Sequence, residues 1–245
     1  MLNSITIKNF KAIQSEKGLT LNNYIFDFDG TLADTQTAIF ETWALTCQQL
    51  QLPPISLESI RSTMGWNISQ IAQNITQSDD IHTIHNLVLA YKRNYKIVSN
   101  AEPSSIKLFD GIMELLQSLK SQNKQLFVVS AKSSQALNDG LDKLNIKEFF
   151  VEIIGAEDVS FTKPNPEAID TLVAKYNLVR SETLMIGDAL VDIQMGQNAN
   201  IRTCGVTWGA TDEQTMLTFG ADYVVSQVSD IGNLQSQDKT KNKTY

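Results

Sequence analysis

The chain has 245 residues, 42% of them hydrophobic and 19% charged, enough to bury a core in one large or two smaller domains. Its formal net charge of −7 argues against a broad nucleic-acid face, so any anionic substrate must be held by local cations. The start at Met1-Leu2-Asn3 lacks a signal-peptide pattern, and no run approaches the ~18 apolar residues of a membrane span. A cytoplasmic protein without membrane or nucleic-acid partners is therefore expected, with Cys47 and Cys204 as buried free thiols.

In chain order, residues 1–22 hold two short alternating runs around Ile5 and Leu19, the second preceded by Gly18. They predict an accessory β-hairpin that adds to a sheet edge or mediates self-association. Residues 24–26, Tyr-Ile-Phe, predict a buried parallel strand, and Asp27-Phe28-Asp29-Gly30-Thr31 follows at its carboxyl end. Open α/β sheets bind ligands at that end. Two close carboxylates repel unless a cation joins them, which points to a hard ion such as Mg²⁺ and so to phosphate.

Residues 37–50, 57–64, 68–75 and 81–97 all have helical spacing with no strand between them, which predicts an all-helical insertion over 36–100. Beyond residue 100 strands and helices alternate. Helices are predicted at 111–120, 134–144, 166–176 and 192–198, and strands at 125–129, 151–154, 183–186, 202–206 and 223–225. The fold class is α/β, a doubly wound parallel sheet formed by 23–35 and 101–234. Residues 235–245 are polar and predict a frayed tail.

Three further clusters follow strands and so fall on the rim of Asp27. Ser130-Ala131-Lys132 offers a hydroxyl and backbone N–H groups near a helix start, an anion site. In Lys163-Pro164-Asn165-Pro166 the prolines fix the backbone and can aim Lys163 inward. In Gly187-Asp188-Ala189-Leu190-Val191-Asp192, Asp188 could complete a metal site and Asp192 reach the same face one helical turn later. Each cluster also has a plain reading as a turn, a cap or a solvated loop.

As an ordered set, these pieces resemble the haloacid-dehalogenase-like hydrolase superfamily, in its phosphoglycolate-phosphatase-like branch, over about residues 24 to 234. Phe109-Asp110-Gly111 and Val206-Thr207-Trp208-Gly209 belong to the same pattern. The resemblance implies Asp27 as nucleophile, through an aspartyl-phosphate, and Asp29 as general acid and base. It implies Mg²⁺ held by Asp188, Asp27 and the backbone carbonyl of Asp29, with Asp192 behind them. Ser130 would bind the transferring phosphoryl oxygen and Lys163 would offset charge. Gly30, Thr31, Ala131, Lys132 and Gly65 are implied as phosphate- and substrate-binding positions.

The insertion would be a mobile cap that sets substrate choice around Met64-Gly65-Trp66-Asn67. An acid at Asp29 disfavours dehalogenation, and Ile39 stands where the mutase branch of the family places a histidine. His82 and His85 have a spacing that could suit a metal, but read as cap-surface residues. Ala189 departs from the Ser or Thr that often follows the third Asp. The expectation is a Mg²⁺-dependent phosphatase for a small phosphorylated metabolite, monomeric or homodimeric. A pyrophosphatase of the same fold and a non-catalytic binding module are the alternatives. Residues 5–13 are also similar to the opening hairpin of ABC-type ATPases, but no GxxxxGK[ST] occurs, so ATP hydrolysis is not implied.

Overall fold

The computed structural model describes residues 5–7, 20–101 and 105–237, with backbone alone at 5–7 and 235–237. The elements, in order, begin with β1 (Ile5–Ile7), β2 (Asn23–Phe26) and β3 (Ala33–Asp34). Four helices follow, α1 (Gln36–Gln49), α2 (Leu57–Arg61), α3 (Ile68–Thr76) and α4 (Ile81–Ser99). The chain continues with β4 (Lys107–Leu108), α5 (Ile112–Ser121), β5 (Gln125–Val129), α6 (Ser134–Lys143) and β6 (Glu152–Ile154). It ends with α7 (Glu167–Tyr176), β7 (Thr183–Gly187), α8 (Leu190–Asn198), β8 (Arg202–Val206), α9 (Glu213–Phe219), β9 (Tyr223–Val225) and α10 (Val228–Gln237).

The main sheet runs β1-β9-β8-β7-β2-β5-β6. Six strands are parallel, and β1 adds antiparallel to β9 at the edge, Ile5 opposite Val225 and Ile7 opposite Tyr223. Residues 20–22 carry no strand, while 8–19, where most of the expected hairpin falls, lie outside the described residues. The same holds for 238–245 of the expected tail, while α10 carries the helix on to Gln237.

Period-2 alternation sorts β2 between two cores. Tyr24 and Phe26 pack with α5, α6 and α10 on one face. Ile25 packs with Phe127, Met185 and the apolar sides of α7 and α8 on the other. Burial on both faces explains why this strand reads as an unbroken apolar run. The chain leaves β2 toward β5 and β6 on one side, then returns to β7, β8 and β9 on the other. A crevice for ligand therefore opens at the tip of β2.

Helices α1–α4 fill the segment between β3 and β4 and have their own apolar cluster, built on Ala38, Ile39, Trp43, Ile60 and Leu87. The α1–α4 seam is partly polar. Asn94 Nδ2 donates to Thr46 Oγ1 and to Gln49 Oε1, each at 2.9 Å. Strands β3 and β4 pair antiparallel where the chain leaves and re-enters the sheet unit, Asp34 opposite Lys107. At two residues each they are too short to show periodicity in sequence. Helices α9 and α10 were likewise absent from the sequence expectation. Each is short and largely polar, and α9 is secured by its Asp212 N-cap and by Met216 packing under Val224.

Candidate active site

Asp27 directly follows β2, and its N–H donates to Ile186 O at 2.9 Å, so the sheet ladder holds it level with the end of β7. The next turn folds back tightly, with Leu32 and Ala33 N–H both donating to Phe28 O at 3.0 Å. Gly30 sits at φ +80°, a conformation that side chains rarely adopt, and a Cβ there would lie 2.2 Å from Asp188 Oδ2. The glycine is therefore needed twice, for the turn and for room beside a carboxylate.

Asp27, Asp188 and Asp192 are all buried, and one carboxylate oxygen from each lies within 4.8 Å of the others. Lys163, 4% exposed, donates to Asp27 Oδ1 at 2.7 Å and to Asp192 Oδ1 at 2.6 Å. Asp192 Oδ2 accepts the Ala189 N–H at 3.1 Å. Asp188 Oδ2 accepts the Ala210 N–H at 2.8 Å, and its Oδ1 accepts from Thr31 Oγ1 at 3.3 Å. The Thr31 carbonyl is in turn held by Trp208 Nε1 at 3.1 Å. The second oxygen of Asp27 accepts no hydrogen bond from the described residues.

Burial pushes the Asp27 carboxyl up to about 7 despite the pull of Lys163, and Asp192 adds to the rise. Burial, then repulsion from Asp27 and Asp192, lifts Asp188 well above the usual carboxylate range. Burial alone would lower Lys163, but Asp192 and Asp27 outweigh it and keep the ammonium charged. With all three carboxylates ionised, one ammonium would leave two negative charges uncompensated, on oxygen donors alone. That donor set fits a hard divalent cation.

The expected clusters meet here to different degrees. Ser130 and Ala131 are buried at the end of β5, and both line the cavity over Asp27. Ser130 does not cap the following helix: its Oγ accepts the Lys132 N–H at 3.2 Å, and Ser133 is the α6 N-cap. Lys132 is turned onto Asp29, donating to its two oxygens at 3.0 and 3.1 Å, with its ammonium 4.3 Å from the centre of the Tyr95 ring. Burial would lower this ammonium; Asp29 first, then Tyr95 and Tyr91, raise it instead. The Lys163–Pro164 bond is cis, and the Lys163 side chain is buried, unlike that of an ordinary solvated loop lysine.

Gly65, at φ +84°, lines the cavity. A Cβ there would come within 2.6 Å of Val191 Cγ2, so this glycine lets the helical insertion sit closely on the start of α8. His82 and His85 are exposed on α4 and do not line the cavity.

The cavity, about 650 Å³, lies between the insertion and the sheet unit with Asp27 and Asp29 among its lining residues. Its wall on the side of the insertion was not singled out from sequence: Tyr91 and Tyr95 line it, and the fully buried Trp43 packs on Tyr91 with ring centres 4.2 Å apart. On an amphipathic helix the two tyrosines read as core, and only the packing shows that they border a cavity. The Ala210 N–H was also missed, because a backbone donor leaves no signal in residue type.

A family model described as haloacid dehalogenase-like hydrolase matches residues 24–206. The chain is 29% identical over 215 residues to Pyrophosphatase PpaX of Listeria monocytogenes, covering 86% of this chain and 94% of the relative. It is 29% identical over 213 residues to Pyrophosphatase PpaX of Oceanobacillus iheyensis, covering 87% and 96%. Among solved structures, a haloacid dehalogenase-like hydrolase from Bacteroides fragilis superposes with a TM-score of 0.81 at 26% identity, covering 86% of this chain and all of that one. A phosphoglycolate phosphatase structure from Lactobacillus delbrueckii subsp. bulgaricus shares the fold, with a TM-score of 0.78 at 20% identity over 87% of this chain and 98% of the other.

Proposed function

Because this chain belongs to the haloacid dehalogenase-like hydrolase family, we propose that it is a Mg²⁺-dependent phosphomonoesterase that works through an aspartyl-phosphate on Asp27. The observation that carries this reading is the buried Asp27–Lys163–Asp192 chain beside Asp188, at the crevice of the sheet and under the cavity beneath the helical insertion.

Asp27 offers its free oxygen to phosphorus while Lys163 holds the other, which fixes the direction of attack. Ser130, at the end of the neighbouring strand, donates to a phosphoryl oxygen. Asp29 supplies a proton to the departing alkoxide, then takes one from the water that cleaves the aspartyl-phosphate. Lys132 holds both oxygens of Asp29, which leaves neither free to face a leaving group. Substrate entry must therefore draw Lys132 away before the first of these steps, toward the incoming anion. Mg²⁺, held by Asp27, Asp188 and the backbone carbonyl of Asp29 with Asp192 behind, would offset the charge of the phosphoryl oxygens. The helical insertion excludes bulk water over the site.

The PpaX relatives favour a second reading, hydrolysis of inorganic pyrophosphate by the same groups. Both readings are tested by phosphate release with and without Mg²⁺ from a panel of phosphomonoesters and from pyrophosphate, with Asp27→Asn as control. Turnover that survives in Asp27→Asn sinks the aspartyl-phosphate route. Full turnover of poor leaving groups by Asp29→Asn sinks its acid and base role.

A further inference from the structure

Two helices lie along the cavity and give it two ends. Helix α6 lines it through Ala136, Gly140 and Lys143, and α4 through Lys92, Tyr95, Lys96 and Ser99, spacings that put each set on one helix face. The helices run in the same direction, because contacts fix their register at both ends. At the first, Lys92 pairs with Glu157 at 3.2 Å, and Glu157 also accepts the Ser134 N–H at 2.7 Å. At the second, Lys143 donates to Ser99 O at 2.5 Å. From Lys92 to Ser99, and from Ser134 to Lys143, the helices advance roughly 10–14 Å.

The phosphate end is the first of these. Ser130 and Lys132 stand just before Ser133, the α6 N-cap, and Lys132 reaches Asp29 there. The far end is cationic. Lys143 is bonded to a neutral carbonyl and has no carboxylate partner among the described residues. Lys96, in the last turn of α4, is exposed and makes no ion pair among the described residues. One carboxylate lines the same stretch, Asp139, and it is held by Gln135 Nε2 at 2.7 Å. In a chain of net charge −7, two ammonium groups against one carboxylate make this end a local exception. Cations gathered in a cleft with low-dielectric walls raise the local concentration of anions.

We propose that this end is a second anion site, and that the substrate is a phosphate monoester whose alcohol part carries a carboxylate or a second phosphate ~10 Å from the ester, held by Lys96 and Lys143. This rests on the phosphatase reading and names its substrate class.

The test measures kcat/KM of the wild-type protein with Mg²⁺ on alkyl phosphates that end in a carboxylate. The series runs from phosphoglycolate to a spacer of about nine bonds, the extended length that covers ~10 Å. Each is compared with the neutral amide of the same length, so the ratio reports the distal charge alone. A bisphosphate of the longest spacer, corrected for its two equivalent ends, is the second arm. Either anion is expected to exceed the amide by ~10-fold at the longest spacer, the size of one charge-assisted hydrogen bond. The ratio should be smaller at phosphoglycolate, whose carboxylate stops short of Lys96. Lys96→Met and Lys143→Met should each bring the long-spacer ratio toward one, and Lys96→Arg should keep it. Lys120→Met, an equal loss of charge away from the cavity, should also keep it.

A ratio of one or less at every length overturns the inference and leaves the phosphatase reading standing. So does a ratio that is greatest at phosphoglycolate, or one that survives in both Lys96→Met and Lys143→Met. Failure of the whole series in a wild type that is active on other phosphomonoesters overturns it as well. A wild type as inert as Asp27→Asn on every phosphomonoester overturns both readings.

Discussion

Single residues in this site carry more than one job, and substitutions should separate them. Asp27 is buried with a carboxyl pushed up to about 7, so it is costly to keep ionised without a cation. Asp27→Asn should abolish phosphate release while leaving the thermal midpoint of the metal-free protein unchanged or higher, checked by phosphate assay and calorimetry on the same preparation. Lys163→Met has the opposite sign. It strands Asp27 and Asp192, both of which it now touches, and should cost about 3–5 kcal/mol in urea unfolding as well as most of the activity. A Lys163→Met protein of native stability would show that the two carboxylates do not depend on it. Gly30→Ala forces a Cβ at positive φ into the Asp188 carboxylate, and should cost about 1–3 kcal/mol and at least tenfold in kcat. At this scale the sequence was informative wherever a residue type is rare for its place, as with two aspartates at a strand tip. It was silent on direction: nothing in Lys132 or Lys163 says that one turns to Asp29 and the other to Asp27.

Among the elements, β2, β5 and β7 were legible because strands buried on both faces read as short apolar runs with turn signals after them. The register then lines up their ends, Phe26 with Val128 and Ile186, which places Asp27, Ser130 and Asp188 on one rim. Short elements were not legible, since β3, β4 and α9 owe their structure to partners distant in sequence. Helix α3 offers an element-scale test. Asn67 caps it, accepting from Ser69 and Gln70 N–H at 3.0 Å, and its Nδ2 also donates to Thr162 Oγ1 at 3.1 Å in the loop before Lys163. Asn67→Ala should lower stability by ~1 kcal/mol and raise KM, because the insertion loses a tie to the sheet unit. Asn67→Asp should restore both, since a carboxylate caps as well and the Thr162 hydroxyl can turn to donate. Thermal unfolding and steady-state kinetics on the pair measure this, and an Asn67→Asp protein as impaired as Asn67→Ala would refute it.

For the molecule as a whole, the acidic cluster ties stability to pH and metal. Asp27 moves from its ordinary 3.8 to about 7 on folding, so between those values the native state holds a proton that the unfolded chain has released. Stability of the metal-free protein therefore falls as pH rises through that window, by an amount on the order of a few kcal/mol from this group. Below about pH 4 the dependence on pH vanishes and this group's contribution is at its full value, because both states are protonated. Mg²⁺ competes with that proton, so its stabilising effect should be larger at pH 8 than at pH 5.5 and should be lost in Asp188→Asn. A Mg²⁺ shift in Tm that is independent of pH would place the ion elsewhere.

The sequence by itself determined the α/β class, the family and the set of strand-end residues, because local periodicity and rare residue types at turns are written in neighbouring positions. Tertiary structure alone decided which oxygen each lysine holds, how β1 meets β9, and that Tyr91 and Tyr95 border a cavity. Those facts depend on side-chain direction and on packing between segments far apart in the chain, and residue type and local spacing encode neither.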